Sequence, residues 1–244
     1  INSGVDAPMA GGYTSICLMS DEENPLDTPE SIKNIVDSSE RINIFPIGSV
    51  SVKHEGVELC EYGHMINEGA IAFSDTVSSI KNSQFLKYAL EYSGMYNVPI
   101  ISYPKDYGLS NGGVVNEGPI STKLGLKGIP DISESIVIFR DIMIAQLANQ
   151  KIHIPMVSTG ESASIIEKFQ KKGVKVTADV APHHIFFNDE DISNYNSNAK
   201  VYPPLRSEKN RMEIIEAIKS NIITCISSDH SPCSSEDKEK DIVH

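Results

Sequence analysis

The sequence predicts an α/β fold built around a largely parallel sheet. Three observations predict this class: seven short segments rich in β-branched and aromatic residues, a helical pattern after each of them, and a length of 244 residues that suits one large α/β domain. Runs that are apolar on both faces are typical of parallel strands covered by helices. Strand, helix, strand repeated in this way leaves two architectures open, an open doubly wound sheet and a barrel.

The predicted strands are short and mostly continuously apolar. They cover residues 13–19, 42–50, 69–74, 98–103, 151–158, 174–181 and 222–227. Periodicity alone does not separate such runs from buried helix segments, so the stretches between them decide the assignment.

Five of the stretches that lie between or beside the predicted strands are predicted helices. They cover residues 29–38, 83–96, 132–150, 161–172 and 207–220. Thr28 is placed to cap the first helix, which starts at Pro29. The third helix is the longest and most apolar. Gly173 follows the fourth as a glycine C-cap does, and isoleucines at 214, 215 and 218 form one face of the fifth.

One segment departs from this alternation. Residues 104–131 are rich in glycine, proline and asparagine, which predicts a long loop between the fourth strand and its helix. Loops of this length in compact domains are usually functional or disordered. The sequence contains neither GxGxxG nor GxxxxGK[ST], so the usual nucleotide-binding fingerprints are missing.

Composition excludes several classes of partner. A net charge of −12 with no basic run argues against a nucleic-acid or membrane surface, and no apolar run is long enough to span a bilayer. The cysteines carry no CxxC pair, which indicates a reducing, cytoplasmic compartment; they are Cys17, Cys60, Cys225 and Cys233. We expect residues 1–244 to form a single domain within a longer chain.

The residues that end each predicted strand are the candidate site. In barrels and open α/β sheets, chemistry lies beyond the carboxyl ends of the strands. Asp75, Asp229 and three histidines at 183, 184 and 230 would provide the ligands of a hydrolytic metal site. The alternative is structural: a strand-end carboxylate or hydroxyl often caps the next helix or turn, and this applies to Asp75 and Ser158. A turn role likewise competes with metal ligation for the histidine pair.

Several motifs resemble one family in their order and spacing. They are GGYT (11–14), AFSD (72–75), NGGVVNEG (111–118), GIPDISES (128–135), VST (157–159), VTADVAPHHIFF (176–187), VYPPLR (201–206) and SSDHSP (227–232). This set resembles dihydroorotase of the type found in multifunctional or aspartate-transcarbamoylase-associated complexes, in the cyclic amidohydrolase branch of the amidohydrolase superfamily.

The resemblance implies a (β/α)8 TIM-type barrel, of which this chain shows seven strands and lacks the first. It also implies a zinc-dependent site that hydrolyses dihydroorotate, or forms it from carbamoyl aspartate, in pyrimidine biosynthesis. Asp75 matches a bridging metal ligand, and Asp229 matches both a metal-proximal residue and the general base. The family's HxHxR motif belongs to the first strand and does not occur in this sequence.

Other family positions are substituted. Tyr103 and Met156 stand where the family has histidine ligands, and neither a phenol nor a thioether replaces imidazole well on zinc. At the substrate positions, Asp21 and Tyr202 replace asparagines, and Cys233 replaces a histidine. We therefore expect zinc to be absent or present in less than stoichiometric amount.

Three functions follow from this pattern. The first is an active dihydroorotase-like hydrolase whose missing ligands come from outside the chain or from His153 and His183. The second is a non-catalytic homologue that serves as a structural partner of aspartate transcarbamoylase. The third is a cyclic amidohydrolase with a remodelled pocket lined by Tyr103, Met156 and Tyr202. The resemblance also implies a homodimer.

Overall fold

The structure is a computed structural model that describes residues 4–21, 24–38, 41–76, 78–232, 234, 236 and 242. The chain divides into two compact units. Unit 1 comprises Ile1–Tyr103 with Ile144–Ile152, and unit 2 comprises Pro104–Met143 with His153–His244. No helix in the described ranges is both long and apolar enough to cross a membrane.

Unit 1 alternates strands and helices along the chain. Its elements are α1 (Asp6–Ala10), β1 (Ser15–Leu18), α2 (Pro29–Val36), β2 (Asn43–Gly48), a 3-10 turn (Val52–His54), α3 (Tyr62–Asn67), β3 (Ala72–Phe73), α4 (Ser83–Gly94) and β4 (Ile100–Ile101). The strands lie side by side in the order β1, β2, β3, β4 and are parallel.

Capping residues explain where the helices of unit 1 begin. Thr28 Oγ1 accepts the Ser31 N–H at 3.2 Å, and Pro29 occupies the first turn of α2, as predicted. Asn82 does the same for α4, because its Oδ1 accepts the N–H groups of Gln84 and Phe85. Each cap satisfies N–H groups that the first turn of a helix leaves without a partner.

The core of unit 1 is aromatic. The fully buried Tyr62 ring stacks on Phe73 at 4.0 Å and on Tyr92 at 4.7 Å between centroids, and the Tyr62 hydroxyl donates to Val50 O at 3.0 Å. A Cβ at Gly48 would lie 3.0 Å from Phe73 Cε1 and 2.5 Å from Met65 Cε. Glycine therefore allows a close approach of β2 to the Phe73 ring.

Unit 2 holds the rest of the alternation. Its elements are α5 (Tyr107–Ser110), β5 (Val115–Asn116), α6 (Pro119–Leu124), β6 (Gly128–Ile129), most of α7 (Ile132–Ala148), β7 (Ile152–Ile154, from its second residue), α8 (Gly160–Gln170), β8 (Val176–Val180), α9 (His183–Phe186), 3-10 turns (Asp189–Tyr195 and Ser197–Ala199), α10 (Glu208–Lys219) and β9 (Cys225–Ile226). Strand β8 lies between β7 and β9, and β5 pairs with β6 in a separate parallel sheet.

All seven predicted strands and all five predicted helices are present, with shorter bounds for the strands. Gly173 has φ +79° after α8, which confirms the predicted glycine stop. The single-domain prediction for 1–244 stays a prediction.

The prediction of a loop over residues 104–131 was wrong. That stretch contains α5, β5, α6 and β6. Its glycines serve close packing as well as turns: a Cβ at Gly113 would lie 2.4 Å from Ile129 Cγ1, and one at Gly128 would lie 2.5 Å from Glu117 Cα. The composition typical of a loop therefore allows two very short strands to approach each other.

Candidate active-site residues at the strand ends

Asp75 follows β3 in unit 1 and is 4% exposed. Its Oδ1 accepts the N–H groups of Val50 and Ser51, both at 2.9 Å, and its Oδ2 accepts the Ser51 hydroxyl at 2.6 Å. Burial raises the pKa of the Asp75 carboxyl, and these hydrogen bonds offset only part of that effect. The carboxylate thus joins the end of β3 to the turn that follows β2.

A second polar cluster in unit 1 links the ends of β1 and β2. Ser20 Oγ and Ser49 Oγ lie 3.0 Å apart, and His54 Nε2 lies 2.9 Å from the first and 2.8 Å from the second. Ser20 Oγ also accepts the Leu26 N–H at 2.8 Å. Sequence reasoning missed His54, because His54 follows β2 by six residues in an irregular turn.

The other two predicted residues of unit 1 have different surroundings. Asp21 is exposed, and its Oδ1 accepts the Asn24 N–H at 2.6 Å, so the carboxylate helps to form a local turn. Tyr103, at the position of a family histidine, is 4% exposed. The proposed substrate role of Asp21 stays a prediction.

In unit 2 the central carboxylate is Asp179 on β8, which sequence reasoning did not single out. Its Oδ2 lies 2.8 Å from His153 Nε2, and its Oδ1 accepts the Met156 N–H at 2.9 Å and the Ser227 hydroxyl at 2.6 Å. Burial acts to raise the Asp179 pKa, but the hydrogen bonds from these three partners outweigh it and the pKa is lowered. Asp179 therefore connects the ends of β7 and β9.

His153 is also fully engaged. Its Nδ1 lies 2.8 Å from Thr177 Oγ1, so both ring nitrogens have protein partners. To act as a metal ligand, His153 would have to give up one of these two contacts.

Asp229, the predicted general base, lies in unit 2 just after β9. Its residue position is exposed, while partial burial of the carboxyl and then the negative charge of Asp179 raise its pKa. A raised carboxyl pKa suits a group that takes up a proton. Cys233, four residues later, lies outside the described residues.

Tyr202 precedes a cis peptide bond to Pro203. The ammonium group of Lys105 lies 4.2 Å from the centre of the Tyr202 ring, a cation–π contact. Burial raises the pKa of its hydroxyl to about 12, so the ring presents a neutral phenol. An anionic substrate would meet no charge on this side chain.

Two buried charged residues of unit 2, Glu134 and Arg206, meet at the turn after β7. Glu134 Oε1 accepts the N–H groups of Ser158 and Thr159 at 3.0 and 3.2 Å, and its Oε2 accepts the Ser158 hydroxyl. Arg206 Nε donates to Ser158 Oγ at 3.0 Å, and its Nη2 lies 3.9 Å from Glu134 Oε2. Ser158 is therefore part of this network and does not cap α8, because the capping side chain is that of Thr159, which accepts the Ser162 N–H at 3.2 Å.

The histidine pair after β8 consists of one half-buried and one buried ring, and the choice between a turn role and metal ligation stays a prediction. His184 is buried, its Nε2 lies 3.0 Å from Pro203 O, and burial first and then the neighbouring His183 lower its pKa to about 3. The two rings lie 4.3 Å apart, and within the described residues His183 Nε2 and His184 Nδ1 have no hydrogen-bond partner.

Three strand-end turns share an uncommon backbone conformation. Thr76, next to Asp75, has φ +55°; Met156 has φ +51°; and Asp229 has φ +46°. Left-handed backbone at residues other than glycine costs free energy and is concentrated at functional sites. The left-handed backbone therefore occurs at Met156 and Asp229 and next to Asp75, all three of them predicted site residues.

The described residues do not by themselves fit a zinc site. They contain no group of three or more His, Cys, Asp or Glu side chains that could hold a metal ion. Asp75 already accepts three hydrogen bonds, and at Tyr103 and Met156 the chain presents a phenol and a thioether.

Comparison with known proteins gives a consistent family. Residues 1–162 match the family model described as "Dihydro-orotase-like". Over 98% of its length the chain is 40% identical to a dihydroorotase of Caldicellulosiruptor saccharolyticus and 39% identical to one of Acetivibrio thermocellus. It spans 56% and 57% of those two relatives.

Solved structures agree on the fold. An L-hydantoinase (dihydropyrimidinase) from Arthrobacter aurescens superposes with a TM-score of 0.79 at 18% identity, over 96% of this chain and 54% of that chain. A dihydropyrimidinase from Brevibacillus agri NCHU1002 gives 0.73 at 17% identity, with the same coverage of 96% and 54%. The predicted (β/α) barrel class is confirmed, and the chain holds part of such a barrel. Together with the sequence matches, this shows that the chain belongs to the dihydroorotase-like family.

Proposed function

We propose that this chain is part of a dihydroorotase homologue that does not hydrolyse dihydroorotate and acts as a structural partner of aspartate transcarbamoylase. One observation carries the proposal: Met156, at a left-handed strand-end turn, offers a thioether where the family resemblance expects a histidine ligand. Tyr103 is the second such substitution. A zinc-activated water needs several nitrogen or oxygen ligands around the metal, and these two side chains are poor ones.

The other features support a retained scaffold. The Glu134–Arg206 network holds the turn after β7, and Asp179 holds the ends of β7 and β9. These contacts need no metal and no substrate. A barrel stabilised in this way can be kept for assembly after its chemistry is lost.

The active hydrolase remains the second candidate, and a specific observation favours it. Asp229 has a raised pKa and itself adopts the left-handed backbone, a raised pKa suits a general base, and the relatives at about 40% identity are dihydroorotases. On this hypothesis a cyclic amide such as dihydroorotate is the substrate, and ligands from outside this chain complete a zinc site.

Metal analysis and turnover of the full-length protein separate the two candidates. We expect less than one zinc per chain and no conversion in either direction between dihydroorotate and carbamoyl aspartate. Stoichiometric zinc with turnover that is lost in Asp229→Asn would overturn the proposal. Turnover of an uncharged cyclic amide alone would instead favour the remodelled pocket around Tyr103, Met156 and Tyr202.

Restoring the histidines tests the same point from the other side. The double variant Tyr103→His and Met156→His is expected to bind more zinc than the wild type, whereas Met95→His, at an exposed position in unit 1, is not. The structural role is tested by size-exclusion chromatography of the full-length protein with aspartate transcarbamoylase from the same organism. Failure to co-migrate would count against the partnership.

A further inference from the structure

The side chains of Thr177, His153 and Asp179 form a hydrogen-bonded series within unit 2. His153 lies on β7, and the other two lie on the neighbouring strand β8. Thr177 Oγ1 lies 2.8 Å from His153 Nδ1, and His153 Nε2 lies 2.8 Å from Asp179 Oδ2. Because Thr177 and Asp179 are two positions apart on one strand, their side chains stand on the same face of the sheet. The imidazole therefore connects a hydroxyl to a carboxylate through its two nitrogens.

The partners of the imidazole determine which nitrogen carries its proton. Burial acts to raise the pKa of Asp179, but hydrogen bonds, first of all the one from His153, lower it overall, so the carboxyl is ionised at neutral pH. An ionised carboxylate only accepts hydrogen bonds, so His153 Nε2 donates to it. In the neutral imidazole Nδ1 is then the acceptor, and the Thr177 hydroxyl donates to it. A histidine in this state is able to take the proton of the hydroxyl group.

Burial decreases along the series from the carboxylate to the hydroxyl. Asp179 is buried, His153 is half-buried and Thr177 is exposed. The carboxylate is also held through its other oxygen, because Asp179 Oδ1 accepts the Met156 N–H at 2.9 Å and the Ser227 hydroxyl at 2.6 Å. A molecule in solution therefore reaches the hydroxyl, while the base and its carboxylate are fixed behind it.

The hydroxyl–imidazole contact of unit 1 lacks these properties. His54 Nε2 contacts the hydroxyls of Ser20 and Ser49, but these serines are buried, at 1% and 0% exposure. Among the described residues, no carboxylate accepts a hydrogen bond from the His54 ring. An accessible hydroxyl and an oriented base thus occur together at Thr177 and not at His54.

We propose that Thr177 is a nucleophile that accepts the acyl group of small activated esters, with His153 as its base and Asp179 as the residue that orients the base. A nucleophile within hydrogen-bond reach of a base, which a third group orients, is the arrangement found in acyl-transfer sites. This class of reaction uses no metal ion. The activity therefore does not depend on whether the protein binds zinc or hydrolyses dihydroorotate.

The reaction proceeds in two halves. The Thr177 oxygen attacks the carbonyl carbon of the ester, and the hydroxyl proton passes to His153 Nδ1. The bond between that carbon and the leaving oxygen then breaks, and the leaving group takes the proton and departs as an alcohol or phenol. Water repeats this sequence on the threonyl ester, which releases the carboxylic acid and restores the hydroxyl. The Asp179 carboxylate stabilises the imidazolium that exists between the proton transfers.

The test uses p-nitrophenyl acetate and the full-length protein, with a chelator present so that a metal-bound water does not contribute. We expect p-nitrophenol release and, at short reaction times, an acetyl group on the peptide that contains Thr177, detected by mass spectrometry. Thr177→Val should lower the rate at least about tenfold, because it replaces the nucleophile by a methyl group of similar size. Thr177→Ser should retain the activity, since it keeps the hydroxyl.

Thr224→Val is the matched control. Thr224 is also exposed and lies directly before the neighbouring strand β9, and its hydroxyl contacts the Cys225 sulfur at 3.8 Å and no imidazole. This variant should react like the wild type.

A further variant decides the matter if Thr177→Val does not fold. His153→Gln keeps an N–H donor for Asp179 but no base, so it should lose the acetylation that Thr177→Ser retains. An unlabelled Thr177, or a rate that the loss of its hydroxyl leaves unchanged, would overturn the proposal. A rate that disappears when the chelator is added would assign the activity to a metal site and would overturn it as well.

Discussion

Asp75 in unit 1 and Asp179 in unit 2 are a natural pair for comparison. Both are buried, at 4% and 7% exposure, and each accepts hydrogen bonds from backbone and hydroxyl donors near a strand end. Their pKa values nevertheless move in opposite directions, raised for Asp75 and lowered for Asp179. The main difference is His153, whose ring nitrogen lies 2.8 Å from Asp179.

The comparison shows what decides the state of a buried carboxylate in this chain. At Asp75 the hydrogen bonds and the charge of His54 do not offset the loss of hydration. At Asp179 the hydrogen bonds of His153, Ser227 and Met156 together outweigh it. Asp179 in unit 2 is therefore a buried carboxylate whose ionised form is favoured, and Asp75 in unit 1 is one whose ionised form is disfavoured.

The largest expected effect comes from removing the buried guanidinium of Arg206. Its Nη1 lies 3.1 Å from Asp131 Oδ1 and its Nη2 lies 3.9 Å from Glu134 Oε2. Arg206→Met leaves the buried Glu134 carboxylate without a charge partner and should lower the free energy of unfolding by about 3–5 kcal/mol. Urea denaturation of the full-length protein measures this loss. Adding Glu134→Gln to the variant should recover part of it, because no uncompensated charge then remains. Equal losses in the single and double variants would show that the ion pair is not the cause.

Substituting the two buried aspartates, Asp179 and Asp75, should have an intermediate effect on stability. Asp179→Asn should cost about 1–3 kcal/mol at neutral pH, because it removes a charged acceptor from three donors. Asp75→Asn should change stability by less than about 1 kcal/mol, since an amide still accepts from the two backbone N–H groups. Both measurements need a chelator present, so that any metal bound by the full-length protein does not contribute. Similar losses of stability in both variants would contradict the claim that the two carboxylates contribute differently.

The pH dependence of stability in the same variants checks the direction of each pKa shift. The folded-state pKa of Asp179 lies below its ordinary value of 3.8, so its contribution is present above that pH and is lost as the pH falls through the folded value. The difference between wild type and Asp179→Asn should therefore shrink below about pH 4. For Asp75 the folded pKa is raised, so wild type should lose stability relative to Asp75→Asn as the pH rises above 3.8.

The smallest effect is expected at a carboxylate with a low pKa but no burial. Hydrogen bonds from Arg211 and Asn188 lower the Glu208 pKa to about 2, yet the residue is exposed. Exposed ion pairs contribute little to stability because water and salt screen them. Glu208→Gln should leave the thermal midpoint nearly unchanged. If Glu208→Gln lowered the thermal midpoint as much as Asp179→Asn does, the direction of the pKa shift would predict a carboxylate's contribution to stability better than its burial does.

Sequence reasoning predicted the fold further than the site. Apolar strand segments, Thr28 before Pro29, and Gly173 after a helix each specify local structure, and all were found. For residues 104–131 the prediction was wrong. A segment whose glycines allow close packing is as rich in glycine as a loop, so composition does not separate the two. The roles of Asp21, Asp75, Asp229, Tyr202 and Cys233 stay predictions.

The sequence by itself determined the α/β class, the order of strands and helices, and the family, because hydrophobic periodicity, capping residues and motif spacing are properties of the chain. The tertiary structure decided which side chains meet. Only folding brings His153 to Asp179, Arg206 to Glu134 and His54 to two serines, across sequence separations that no local pattern encodes.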